Sequence, residues 1–264
     1  MLNVVVFTGG RGSEVLSKRL LARTDVALTL VVNGYDDGAS TGEVRRFLGD
    51  SLGPSDFRKN ASRVAAATDS CSAELIALVD HRLAADPAAG RAEFETLAAD
   101  GGRARGLPGG EAERVAARLQ AFQAELARGG TFAFEDCAVG NVVFAGGFLL
   151  AGRAFNAAVD DYAALLGLAP GVVDDVTQGE NAFLVAIDRD GGVLGTEEAI
   201  VDARRENRID DIFLIDRPLP PGDWTAPRAR AFFEAHAAPV TLNPRVAARV
   251  DAADLIVYAP GTQY

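Results

Sequence analysis

The chain has 264 residues, 48% of them hydrophobic, and a formal net charge of -11. That is enough chain for a sizeable core, in one large domain or two modest ones, and the acidic balance argues against a general nucleic-acid or membrane-surface binder, which needs basic surface to neutralise phosphate. The two cysteines, Cys71 and Cys137, make no metal or redox spacing, no apolar run is long enough to span a membrane and no signal peptide is visible, so a reduced cytoplasmic protein is expected.

Leu2 to Thr8 is a continuous β-branched apolar run, which reads as a buried parallel strand. Gly9-Gly10-Arg11-Gly12-Ser13 turns the chain into a helix, Glu14 to Arg23, with Val15, Leu16, Leu20 and Leu21 on one face. Val26 to Val32 is the second strand, and this β-loop-α-β opening begins a doubly wound sheet. The loop lacks the Gly-Lys-Ser/Thr of a P-loop and, at Val15, the third small residue of the dinucleotide pattern. It is either a phosphate cradle, built from backbone N–H groups at a helix N-terminus, or a tight turn.

The acidic loop Asn33-Gly34-Tyr35-Asp36-Asp37-Gly38-Ala39-Ser40-Thr41-Gly42 then stands at the carboxyl end of the second strand. Asp36 and Asp37 suit a hard cation, while Ser40 and Thr41 suit a helix cap or a phosphate. A solvated acidic turn explains the same residues. In Gly53-Pro54-Ser55-Asp56-Phe57-Arg58-Lys59-Asn60, Pro54 ends one helix and Ser55 or Asp56 starts the next. Arg58 and Lys59 near a helix N-terminus oppose its dipole, so they are either kept for a ligand or snorkel to solvent. Between residues 11 and 63 nine basic residues face seven acidic ones, a local balance that suits a small phosphorylated ligand, although solvated helix faces account for several.

Residues 72 to 128 carry helical spacing, broken at 84–87 and 106–110, and read as a helical insertion over about 72–130 in a single α/β domain, 1–264. Gly140 and Asn141 open an apolar helix that runs on through Val142 to Leu150. They serve either close ligand approach or close helix packing. A further helix spans 155–166. From 172 to 215 the period becomes that of strands, around Val172-Val173, Phe183 to Ile187 and Ile212 to Ile215, with a hairpin turn at 188–192. A helix over 226–235 follows. Asn243 caps a helix with Pro244 at its first position. Leu255 to Tyr258 is a last buried strand, followed by another glycine loop with Gly261 and Thr262. The chain stops where a parallel sheet would next need a helix, so a longer natural protein is expected.

Six stretches in order, Gly9 to Ser13, Asp36 to Gly42, Gly53 to Asn60, Val139 to Asn141, Asn243 to Asp254 and Ala259 to Thr262, resemble one superfamily. It contains the CofD-type 2-phospho-L-lactate transferases of coenzyme F420 biosynthesis and the YvcK-type gluconeogenesis factors. The resemblance implies a Rossmann-like α/β fold: a mostly parallel sheet with helices on both faces, the helical insertion and a small antiparallel or mixed patch. It implies one nucleotide-derivative site at the carboxyl edge of the sheet. The transferase branch uses magnesium and a guanosine diphosphate-type donor, and passes a phospholactyl group to a deazaflavin alcohol. Asp56 lines up with an aspartate at its deazaflavin site. The double aspartate, the Ser-Thr-Gly stretch and Asp56 to Asn60 look closer to the YvcK branch, which is known for binding UDP-sugars. Arg11 stands where relatives usually carry threonine or glycine. The expected nucleotide and phosphate contacts are Gly9, Gly10, Gly12, Ser13, Ser40, Thr41, Gly42, Arg58, Asn60, Gly140, Asn141, Gly261 and Thr262. The expected magnesium ligands are Asp36, Asp37 and Asp56, with Asp37 and Asp56 catalytic. The expected partner is a nucleoside diphosphate or nucleotide-sugar, without nucleic acid or membrane, and a homodimer is compatible. A transferase and a binding protein without turnover are both open.

Overall fold

The β-branched runs that open the chain form the centre of a parallel sheet. The protein is described by a computed structural model over residues 1–10, 12–49, 51–201 and 208–259. The strands are β1 (Leu2–Thr8), β2 (Val26–Val32), β3 (Val173–Asp175), β4 (Phe183–Asp188), β5 (Val193–Leu194), β6 (Ile209–Ile215) and β7 (Leu255–Tyr258). The main sheet has the order β3-β2-β1-β7 and is parallel throughout. The chain steps outward from β1 to β2 and β3, then returns to add β7 on the other side of β1. The crevice between the carboxyl ends of β1 and β7 is therefore a topological switch point, where ligands bind in open α/β sheets.

Both faces of the sheet are covered at β1 and β2, which is why those strands read as unbroken apolar runs. The last strand, expected to be buried, is not: β7 stands at the end of the strand order with Leu255, Ile256 and Tyr258 exposed. Val4, Val6, Leu30 and Val32 enter the main core, which Leu16 and Leu20 of α1 (Glu14–Leu21) also join. Val5 and Val31 face the other way, against Val246 of α11 (Pro244–Asp251). Asn243 caps α11 as its sequence predicts: its side chain accepts from the Arg245 N–H at 2.9 Å. Its amide also donates to the Asp175 carbonyl at 2.9 Å, which pins the helix to the end of β3.

Between β2 and β3 run α2 (Ala39–Leu48), α3 (Ser55–Thr68), α4 (Ala73–Asp80), α5 (Pro87–Asp100), α6 (Gly109–Leu126), α7 (Val139–Leu150) and α8 (Phe155–Leu165). The α7 helix is buried from Val139 to Phe148, so its apolar residues surround it as a central helix requires. A Cβ on Gly146 would stand 1.9 Å from the Arg118 carbonyl of α6, so only glycine lets these two backbones meet. Leu75, Phe94, Leu119 and Phe122 of the helical insertion belong to the same core as the sheet. The antiparallel patch is the three-stranded sheet β5-β4-β6. Its turn follows the hairpin reading, with Asp188 Oδ1 accepting the N–H groups of Asp190 and Gly192. It packs through Val185, Ile187 and Ile215 on Ala229 and Phe233 of α10 (Ala226–Ala235). The short α9 (Glu197–Val201) and the two-residue β5 carry no sequence signal of their own length. Among the described residues no helix is long and apolar enough to cross a membrane.

Candidate functional site

Three helices begin at one buried knot below the carboxyl edge of the sheet. Asn141, in the first turn of α7, donates to Ser40 Oγ of α2 at 3.0 Å and to Ser55 Oγ of α3 at 3.1 Å. Its carbonyl oxygen accepts from Arg58 Nε at 3.0 Å. Thr41 shares a short hydrogen bond with Ser55 and donates to Asp36 Oδ2 at 3.3 Å. None of these helices has a side-chain cap on its own first turn, so their N-terminal partial positive charges add at this point.

Above the knot lie the two glycine-flanked loops. Asp36 Oδ1 accepts from Gly38 N at 3.0 Å, so the first aspartate of the acidic loop fixes that loop's own turn. Burial raises the Asp36 pKa, and the nearby Asp56 charge raises it further against the pull of Lys59. Asp56 itself pairs with Lys59 at 3.1 Å. A Cβ on Gly10 would fall 2.3 Å from Asp56 Oδ1, so the glycine loop and the Asp56 carboxylate touch. Two α3 side chains latch the same loop. Asn60 donates to the Gly9 carbonyl at 3.0 Å and Arg63 to the Gly10 carbonyl at 2.6 Å.

Gly9, Asn33, Tyr35, Asp36, Asp56, Leu184 and Glu197 line one narrow cleft. Asn33, Tyr35 and Leu184 continue into a wider apolar groove of 470 Å³, closed by Ile212, Leu214 and Ala238 of the antiparallel sheet and the segment behind it. An acidic, glycine-lined end thus runs directly into an apolar one.

The residues singled out in the sequence separate into two layers. Gly9, Gly10, Asp36 and Asp56 meet at the cleft. Arg58, Asn60, Thr41 and Asn141 are buried beneath it and hydrogen-bonded within the protein, so they orient the cleft and do not face it. Ser40 belongs to the same knot. Gly140 packs on α3 and α4, where a Cβ would stand 2.3 Å from Arg58 Cδ and 2.6 Å from the Val79 carbonyl. Gly42 clears the Asp37 carbonyl, which a Cβ would approach to 2.0 Å. Ser13 is buried and hydrogen-bonded to Thr8 and Ser17, and Gly12 is exposed. Asp37 lies near Arg45 and is not part of the cleft lining. Arg11, Gly261 and Thr262 lie outside the described residues.

Sequence reasoning passed over Arg45, which ties the acidic loop to the antiparallel sheet. Its guanidinium donates to the carbonyls of Tyr35 at 3.0 Å, Asp36 at 3.3 Å and Ala182 at 2.6 Å, and to Asn181 Oδ1 at 3.1 Å. A signal was present: Thr41, Val44, Arg45 and Leu48 recur at helical spacing on the buried face of α2. Asp175 was also passed over. It is buried at the end of β3, near Tyr35 and Glu180, and burial pushes its carboxyl up to about 7.

A family model for the 2-phospho-L-lactate transferase CofD matches residues 4–264. Two crystal structures of protein BH3568 from Bacillus halodurans, the first described as a member of the UPF0052 family, share the fold with TM-scores of 0.63 and 0.62. Each is 21% identical, and the matches cover 99% and 98% of this chain but 60% and 59% of those chains. At that identity the likeness shows the fold alone, and the chain spans about three fifths of the length of these neighbours. No curated protein matches it. The parallel sheet with its switch-point loops, and a family model that spans all but the first three residues, make the chain a member of the CofD family.

Proposed function

We propose that the cleft, which at 20 Å³ has room for an ion or a single phosphate oxygen, and the 470 Å³ groove it opens into together bind a nucleoside diphosphate derivative and transfer a phosphoryl-linked group from it to an acceptor hydroxyl. The observation that carries this reading is the contact of the Gly10 loop with Asp56, with Asp36 beside it, at the carboxyl edge of β1 and β2. Backbone amides of the glycine loop and the summed dipoles of α2, α3 and α7 attract the phosphates. The apolar groove along Tyr35, Leu184 and Ile212 takes a ring system, from the acceptor or from the nucleoside.

Asp36 and Asp56 fit magnesium. They are two hard oxygen donors near each other; burial raises the Asp36 pKa and the Asp56 charge adds to it, with Lys59 acting against both. Among the described residues no group of three or more His, Cys, Asp and Glu is placed to hold a metal alone. The three-carboxylate set Asp36, Asp37 and Asp56 expected from the sequence is thus not formed, and magnesium here would need substrate phosphates beside Asp36 and Asp56 to complete its coordination. When bound, the ion supplies charge neutralisation on the phosphates. The chain's own part is to orient the donor along Gly9 and Gly10 and to accept a proton. One of these two carboxylates takes the proton from the acceptor hydroxyl. The acceptor oxygen bonds to the phosphorus distal to the nucleoside, the phosphate bridge breaks, and a nucleoside monophosphate leaves.

Calorimetric titration with GDP, UDP and a UDP-sugar, with and without magnesium, tests this. Asp36→Asn and Asp56→Asn are each expected to weaken magnesium-dependent nucleotide binding at least about tenfold. Melting should change little, because an asparagine at 36 can still accept from Gly38 N. Equal affinity in both variants, with or without magnesium, would refute the site. Tight, metal-independent binding of the UDP-sugar without turnover would replace the transferase by a binding protein.

A further inference from the structure

Past Gly10 from the acidic cleft lies a second cavity, a groove of 590 Å³ between α1, α3 and α4. Its floor is one face of α3, where Lys59, Ser62, Arg63 and Ala66 recur at helical spacing. The small side chains of Ser62, Ala66 and Ala67 leave the room. Lys18 of α1 and Arg82, which follows α4, add cationic walls.

The charge of this groove opposes that of the chain. Five basic residues, Lys18, Arg58, Lys59, Arg63 and Arg82, line it against Glu14 and Asp80, in a chain of net charge -11. Four of the five have a carboxylate partner: Lys18 with Glu14 at 2.9 Å, Arg58 with Asp80 at 2.7 Å, Lys59 with Asp56 at 3.1 Å and Arg82 with Asp136 at 2.8 Å. Arg63 differs. It donates to the Gly10 carbonyl at 2.6 Å and to Asn60 Oδ1 at 3.0 Å, and has no carboxylate among the described ion pairs. It is half-buried, and burial lowers its pKa. Glu14, Asp56 and Asp80 act on its charge without pairing with it, so a guanidinium held in place by two neutral acceptors keeps further N–H donors for an anion in the groove.

We propose that this groove seats a second anionic group of the ligand, a phosphate or a carboxylate set apart from the phosphates on the glycine loop. Arg63 is its main partner, with Lys18 and Lys59 in support. The inference rests on the reading that a phosphorylated ligand lies along Gly10. It adds a residue role: Arg63, outside the cleft, selects for that second charge.

Titration with inorganic pyrophosphate and with succinate tests the groove and separates a phosphate seat from a carboxylate seat. Two variants decide it. Arg63→Gln removes the charge. Ala66→Glu adds a carboxylate from an exposed position on α3 and disturbs no buried contact, so its melting temperature should match the parent. At least one of the two anions should bind the parent protein, more weakly as sodium chloride rises. Its affinity should fall about tenfold in both variants, each tenfold being about 1.4 kcal/mol. An Ala66→Glu affinity equal to the parent's overturns the proposal, as does binding of neither anion. Magnesium-dependent GDP binding in the parent would still stand in that case, so the groove can fail without the cleft. If instead Asp36→Asn binds GDP normally while the groove variants lose the anion, the cleft reading fails and the groove remains an anion site.

Discussion

Asp175→Asn is expected to stabilise the protein at pH 8 by about 4 kcal/mol and to leave its stability at pH 4 nearly unchanged. Asp175 is almost fully buried, and its pKa is raised from 3.8 to about 7. Burial is the main cause, and the neighbouring Glu180 adds to it. The hydroxyl of Thr177, which donates to Oδ2 at 2.9 Å, and the backbone near Val176 and Thr177 pull the other way without compensating. Asp174 next to it is also raised by burial, but Arg245 pairs with it and, at 2.9 Å, with Asp160. The folded state thus holds its Asp175 proton to about pH 7, whereas the unfolded chain releases it near 3.8. The unfolded state binds fewer protons between those values, so stability falls as pH rises through that window and stays low above it. Urea denaturation of parent and variant at pH 4, 6 and 8 isolates this group, because the other carboxylates cancel in the difference. Parallel pH profiles for the two proteins would show that Asp175 is ionised in the fold at no cost.

That buried acid also shows where the sequence stops being legible. Strand period and composition locate β1, β2 and β7, and the Asn243-Pro244 pair locates the start of α11, because each signal is local. The convergence of the Gly9 loop with Asp56 was readable only as the sum of several motifs that all belong to a sheet's carboxyl edge. Which residue in each motif faces the cleft was not readable. Asn60 and Asn141 carry the same amide, and nothing near them in the chain says that one latches Gly9 and the other joins three helices. Gly140 illustrates the same limit, since a glycine needed beside Val79 and a glycine needed beside a ligand look identical in sequence. The Arg63 groove was legible only in part. Arg58, Lys59 and Arg63 stand together on α3, but Lys18 and Arg82 come from elsewhere in the chain, and the partners at Glu14, Asp56, Asp80 and Asp136 decide which cation is left over.

Arg45→Ala is expected to cost about 3 to 5 kcal/mol, because several buried acceptors lose their donor at once, at about 1–3 kcal/mol each where water cannot replace it. The guanidinium is 6% exposed, lies 5.1 Å from the centroid of the Phe183 ring and has its pKa lowered by burial despite Asp37 and Asp36 nearby. Truncation leaves the carbonyls of Tyr35, Asp36 and Ala182 and the Asn181 oxygen without this donor, in a setting that water reaches poorly. It also removes a buried cation that lies near Asp37 and Asp36. Arg45→Lys should recover little, because one ammonium cannot span the Tyr35–Asp36 loop and the start of β4 together as the planar fork does. The same bonds hold Asp36 in register with Leu184 across the cleft, so binding and stability are coupled here. At a temperature well below its unfolding midpoint, Arg45→Ala should still show weaker magnesium-dependent GDP binding than the parent, with Arg45→Lys closer to Ala than to the parent. Chemical denaturation supplies the stability arm. A loss of less than about 1 kcal/mol, the size of an ordinary substitution, would mean that the acidic loop and the antiparallel sheet hold their places without this bridge.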